Sequence, residues 1–148
     1  RNVSLALHEG ETVGLVVESG SGKSTLGRII RGLTRVDRGQ VLLEGQPWSI
    51  LNEAARRSRR SLIQTVTQDT LGVFDPRYSV EMSLREALGE TRKLSAQARE
   101  REISRLVDAV GLARKKLGSP LRDLSGGQRQ RVTIARALAP QLRILICD

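Results

Sequence analysis

The sequence predicts an α/β fold, and three observations predict it. Short apolar runs rich in β-branched residues alternate with stretches whose apolar residues recur at helical spacing. A loop of glycines and serines, Gly20-Ser21-Gly22, follows the first run and leads straight into the first helical stretch. The last apolar run, Arg143 to Cys147, ends on a carboxylate, Asp148.

Each element follows from its own residues. Thr12 to Val17 is a β-branched run after the turn His8-Glu9-Gly10-Glu11, so it is expected to be a buried strand with His8 exposed in the turn. Leu26, Ile29, Ile30 and Leu33 recur at helical spacing, and Gly32 and Gly39 bracket the exit. Gln40 to Glu44 is expected as a second strand, closed by Gly45 and Pro47. Asn52 to Arg60 reads as a short helix capped by Asn52. Ser61 to Thr67 is a third strand, and Gln68 to Ser79 is a loop in which Asp69 and Asp75 act as caps. Val80 to Leu88 and Ala96 to Val110 are helices, the second with Ile103, Leu106, Val107 and Val110 on one stripe. Ser125 to Leu138 is another helix. Arg143 to Cys147 is the final strand, with Cys147 expected as inert buried packing.

Composition bounds the function. The 148 residues suit one domain, and 39% apolar with 28% charged residues excludes a collagen, a mucin-like stalk and a disordered acidic tail. One cysteine forms no internal disulfide, which points to a reducing compartment. No run approaches the ~18 apolar residues of a spanning helix, and the first residues do not read as a signal peptide. The chain opens on Arg1 and stops at Asp148 directly after an apolar run, so it is expected to be part of a longer one. Its net charge is +9, carried by twenty-one arginines and four lysines spread along the whole length. Nucleic-acid modules pair a localised basic patch with stacking aromatics. Here Trp48, Phe74 and Tyr78 are the only aromatics, so nucleic acid is not the expected partner and the arginines are expected on a solvated surface.

Three motifs carry chemistry. Gly20-Ser21-Gly22-Lys23-Ser24-Thr25, after a strand and opening a helix, has the context of a phosphate-binding loop. Inward backbone N–H groups and the helix dipole attract an anion, Lys23 adds a point charge for the β- and γ-phosphates, and Ser24 offers its hydroxyl to Mg²⁺. The full pattern is G-x-x-x-x-G-K-S/T, and the position five before Gly22 is Val17 rather than glycine. Three readings account for Val17: a tolerated variant, a damaged site, or a single-base error in reading a glycine codon. The second motif is Leu124-Ser125-Gly126-Gly127-Gln128-Arg129-Gln130-Arg131. Ser125 and Gln128 alone form a capping box, but two glycines in a first helical turn cost up to ~1 kcal/mol each relative to alanine. They make sense where another molecule's phosphate approaches bare backbone. The third is the apolar strand ending on Asp148, the geometry for holding Mg²⁺ beside a phosphate loop.

In this order, and with Gln68-Asp69 between them, these motifs make the chain resemble the ATP-binding subunit of an ABC transporter. Lys23 and Ser125 lie 102 residues apart, and Ser125 and Asp148 lie 23 apart, spacings that suit the family. Within it, Glu18 to Thr25 and the segment Gln68-Asp69…Phe74-Asp75-Pro76-Arg77 are most similar to the oligopeptide, dipeptide and nickel importers. The resemblance implies a P-loop NTPase core, RecA-like and of ABC type, with a helical subdomain carrying the signature motif, incomplete at its C-terminal end. Residues 1–70 would form the phosphate-loop core, 71–124 a mostly helical subdomain, and 125–148 the signature helix and Walker B strand.

The resemblance also implies roles. Glu18, Ser19, Gly20, Ser21, Gly22, Lys23, Ser24 and Thr25 would cradle ATP. Ser24, Gln68 and Asp148 would serve Mg²⁺ and water, with Lys23, Gln68 and Asp148 as the catalytic set. Ser125, Gly126, Gly127 and Gln128 would touch the γ-phosphate of ATP on a second ATP-binding subunit in a head-to-tail homo- or heterodimer. The Gln68 loop would meet membrane-spanning permease subunits, served by an extracytoplasmic solute-binding protein, with this chain peripheral on the cytoplasmic face of the inner membrane. The implied function is ATP hydrolysis driving solute import, of peptides or a related small solute. Thr70 departs from the proline usual after Gln-Asp, and the chain stops before the glutamate expected after Asp148. It is therefore expected to bind nucleotide weakly and hydrolyse it negligibly on its own. Two other readings stand beside this one: a non-transport ABC ATPase acting on nucleic acid or ribosomes, and a nucleotide-binding module impaired at Val17.

Overall fold

Gly22 starts helix α1 (Lys23–Ile30) in the left-handed region, at φ 106°, which a side chain would strain. The helix stops in a Schellman turn: Gly32 sits at φ 72°, its N–H reaches Ile29 O at 2.9 Å, and Leu33 N–H reaches Arg28 O at 2.8 Å. A computed structural model describes residues 2–18, 20–67, 74–75, 77–89 and 93–148. The expectations for Ser19, Gln68, Asp69, Thr70 and Pro76 lie outside the described residues.

Strands β1 (Leu42–Leu43) and β2 (Gln46–Pro47) form a two-residue antiparallel hairpin with Leu43 opposite Gln46. Its turn residues, Glu44 at φ 53° and Gly45 at φ 73°, are both left-handed, as a primed turn demands. The expected strand over 40–44 is thus shorter, and Pro47 lies inside the second strand rather than closing the first. A two-strand edge tolerates its missing N–H. Trp48 is fully buried just beyond. Its backbone N–H donates to Val41 O at 3.0 Å and its indole N–H to Ile30 O at 2.7 Å, so it ties the hairpin to the end of α1.

Asn52 caps α2 (Glu53–Arg57) as expected, accepting from Ala55 N–H at 2.9 Å. A 3₁₀ turn at Arg60–Leu62 ends it early and feeds β3 (Ile63–Val66). β3 pairs in parallel with β4 (Ile144–Cys147), Ile63 opposite Ile144 and Val66 opposite Cys147. The crossover between them carries α3 (Val80–Gly89), α4 (Ala96–Ala109) and α5 (Gly126–Leu138). Their inward faces supply one cluster: Leu84 and Leu88 from α3, Ile103 and Leu106 from α4, Val132 and Ala135 from α5. Full burial of a leucine such as Leu84 contributes about 1.5–3 kcal/mol. A second cluster joins Leu43, Trp48 and Ile63, with Ile30, Ile144 and Ile146 packed against it, so α1 lies against β4.

Two expectations about burial are also corrected. Residues 12–17 form no strand among the described residues, and Val13, Leu15, Val16 and Val17 are exposed. An apolar β-branched run favours extended backbone, but a strand also needs a neighbour, and no ladder reaches this segment. Cys147 is exposed rather than buried. β4 alternates: Ile144 and Ile146 face the second cluster while Leu145 and Cys147 face outward, the period of a strand covered on one side.

The arginines are not only solvated surface. Arg56 Nε donates to Leu51 O at 2.8 Å and its Nη1 to Gly32 O, tying α2 to the end of α1. Arg59 reaches Leu43 O at 3.2 Å. Arg131 donates to Val110 O at 2.7 Å and Gly111 O at 3.0 Å, satisfying the carbonyls at the end of α4. Arg136 joins α5 to α3 through Ser83 Oγ at 3.3 Å and Glu86 at 3.1 Å, and lies 5.7 Å from the Phe74 ring centroid.

Candidate functional site

The site forms where α1 begins and β4 ends. Gly20 at φ 77° and Gly22 at φ 106° turn the chain from residue 18 into α1, with Ser21 N–H donating to Glu18 O at 3.3 Å. Among the described residues no side chain caps α1, and no acidic residue lies in its first turn, so its N-terminal dipole is left for an incoming anion. Lys23 curls back over the loop: its Nζ donates to Val17 O at 2.9 Å and to Glu18 O at 3.0 Å. Both acceptors are uncharged, so the ammonium is held without being neutralised.

Asp148 arrives from the other end of the chain. Its N–H donates to Val66 O at 3.0 Å, which extends the β3–β4 ladder by one step. Its carboxylate accepts from Ser24 Oγ at 3.4 Å, a contact between residues 124 apart in sequence. Lys23, Ser24 and Asp148 are thereby gathered beside one helix N-terminus. Ser24 Oγ and the Asp148 carboxylate are hard oxygen donors, a set that fits Mg²⁺, which takes one or two protein oxygens and completes its shell with water and phosphate. Among the described residues no cluster of three or more histidine, cysteine or acidic side chains offers an all-protein cage. Gln68 follows Val66 by two positions but lies outside the described residues.

Ser125 to Gln128 start α5 and stand apart. Ser125 Oγ accepts from Gln128 N–H at 3.3 Å, and Gln128 Oε1 accepts from Ser125 N–H at 3.1 Å, the reciprocal capping box. Arg129 Nη1 donates to Leu124 O at 2.5 Å and fixes the approach to this turn. Ser125, Gly126 and Gly127 are exposed, and no hydrogen bond joins them to the phosphate loop among the described residues.

Sequence reasoning missed the acceptors of Lys23. Val17 stood out as a fault in the pattern, yet its carbonyl is a partner of Lys23 Nζ, and Glu44 is the only non-glycine at positive φ among the described residues. The available clue was spacing, since residues 17 and 18 lie one loop behind Lys23. His8 is in an exposed turn as expected, its N–H donating to Glu11 Oε2 at 2.7 Å. Asp75 is a loop cap, accepting from Arg77 N–H at 3.0 Å and from the Arg77 guanidinium, whose hydrogen bond lowers its pKa to about 2.

Residues 1–148 match the ABC transporter family. The chain is 42% identical over 147 residues to the nickel import ATP-binding protein NikE of Escherichia coli K12, covering 99% of this chain and 55% of that protein. It is 38% identical over 146 residues to the oligopeptide transport ATP-binding protein OppF of Lactococcus lactis, covering 99% of this chain and 46% of that one. The chain thus spans about half the length of these curated relatives. Among solved structures it is similar to a dimeric ATP-binding cassette in a post-hydrolysis state with ADP and Pi. There the TM-score is 0.84 and the identity 31%, covering 99% of this chain and 64% of that one.

Proposed function

Since the chain belongs to the ABC transporter family, we propose that it is the nucleotide-binding part of an ATPase that drives solute import. The observation that carries this reading is the Ser24–Asp148 contact at 3.4 Å, which sets a magnesium-type oxygen pair beside the loop that holds Lys23. The N–H groups of α1 and the loop would bind the phosphates of ATP, with Lys23 against the β- and γ-phosphates. Ser24 and Asp148, joined by Gln68, would hold Mg²⁺, which when bound neutralises charge on the transferring phosphoryl group. Glu18, Ser19, Gly20, Ser21, Gly22 and Thr25 would line the same cradle. Ser125 to Gln128 would act on ATP held by a second ATP-binding subunit, in keeping with the dimeric cassette to which this chain is similar.

The NikE and OppF likenesses favour an importer of peptides or a related small solute, working with permease subunits at the cytoplasmic face of the membrane. Among the described residues no helix is long and apolar enough to cross a membrane, which suits a peripheral subunit. The test is to isolate the natural full-length protein under gentle detergent and follow ATP hydrolysis. Co-isolation with membrane-spanning subunits and solute-stimulated turnover, lost in Asp148→Asn, support the reading. Salt-sensitive binding to nucleic acid without such partners overturns it.

A further inference from the structure

Lys23 carries three N–H donors, and the loop uses two of them, on Val17 O and Glu18 O. One remains for a ligand oxygen. A lysine side chain loses up to about 1.5–2 kcal/mol of rotamer freedom when ordered, and here the ordering precedes any ligand. How well the ammonium is placed depends on how firmly those two carbonyls are placed. Val17 bears on this directly. Its backbone avoids the left-handed region, so the loop makes no demand there that only glycine meets. Its side chain is 46% exposed, so it takes no space from a packed core. A β-branched side chain narrows the backbone and χ1 choices of its residue, whereas glycine widens them.

We propose that Val17 is a positioning residue: its stiff backbone fixes the carbonyl that holds Lys23 Nζ, so that Lys23 is pre-set for phosphate. The role rests on the ATP-binding reading above, but the contact itself does not. The damaged-site account of Val17 is then reversed, because restoring the pattern's glycine loosens the lysine.

The experiment uses the natural full-length protein. Without nucleotide, the acetylation rate of Lys23 by acetic anhydride is followed by mass spectrometry. Val17→Gly raises that rate and weakens ATP binding about two- to fivefold, the range that removing a backbone restriction produces. Val17→Thr, which keeps the β-branch, restores both. Lys23→Ala weakens ATP binding, and adding Val17→Gly to it brings no further loss. An unchanged labelling rate in Val17→Gly overturns the proposal. So does ATP binding that needs Lys23 but is equal or tighter with glycine at position 17. If labelling rises while ATP binding ignores both Lys23→Ala and Val17→Gly, the ATP reading falls and the Val17–Lys23 contact stands.

Discussion

Helices α1 and α5 both start at glycines, and they treat their free N–H groups in opposite ways. At α5 the chain satisfies itself: Ser125 and Gln128 exchange hydrogen bonds at 3.3 and 3.1 Å. At α1 the capping position is Gly22, which has no side chain to give, and the nearest side chain is a cation, Lys23. The first terminus carries its own reciprocal cap. Among the described residues the second has no side-chain cap, and a cation, Lys23, and a carboxylate, Asp148, stand beside it. Two glycine-rich helix starts that look alike in sequence therefore differ in how they are capped: one by its own side chains, the other by none.

The largest way to break the contrast is Lys23→Ala. Removing a pre-organised donor from the site of charge development costs about 10²–10³ in turnover. ATP hydrolysis by the full-length protein should fall by that much while its melting temperature moves little. Gly22→Ala comes next. It forces a side chain to φ 106° and should destabilise the fold by about 1–3 kcal/mol in urea titration. At the other terminus, Ser125→Ala removes half of the capping box and should cost about 1 kcal/mol by the same measurement.

Gly127→Ala sharpens the contrast by splitting stability from function. A Cβ there meets nothing within 4 Å, so alanine should stabilise α5 by up to about 1 kcal/mol. If the glycine exists to admit a partner's phosphate, hydrolysis by the assembled dimer should fall although the protein melts later. The smallest effect concerns Asp75, which, like Ser125, satisfies its own neighbours. The Arg77 guanidinium holds its carboxyl down at about 2, below the ordinary carboxylate range. The contribution is full above that ordinary range and is lost as pH falls through about 2. Arg77→Ala should return the carboxyl midpoint, read by NMR titration, towards the ordinary range.

Local chemistry was legible. The caps at Asn52 and Ser125, the stripe Ile103, Leu106, Val107 and the loop from Gly20 to Lys23 all depend on residues a few positions apart, and the sequence states those spacings outright. Partnership across the chain was not. Thr12 to Val17 has the composition of a buried strand, but a strand also needs a neighbour, and composition cannot name one. The one-sided burial of β4 depends on which face is covered, so Cys147 read wrongly for the same reason. No local spacing announces the Ser24–Asp148 contact; the family resemblance implies only that both residues serve one Mg²⁺. The arginines were opaque for a sharper reason: their acceptors are backbone carbonyls, which every residue has and no sequence pattern marks.

Those arginine joints give the fold a particular chemical temper. A guanidinium's planar array of donors can serve two carbonyls at once, as Arg131 does at Val110 and Gly111. The seams between α1 and α2, and between α4 and α5, are therefore fastened by forked donors that grip main chain rather than by ion pairs. Exchanging them for lysine would leave the charge count intact and still unpick the stitching.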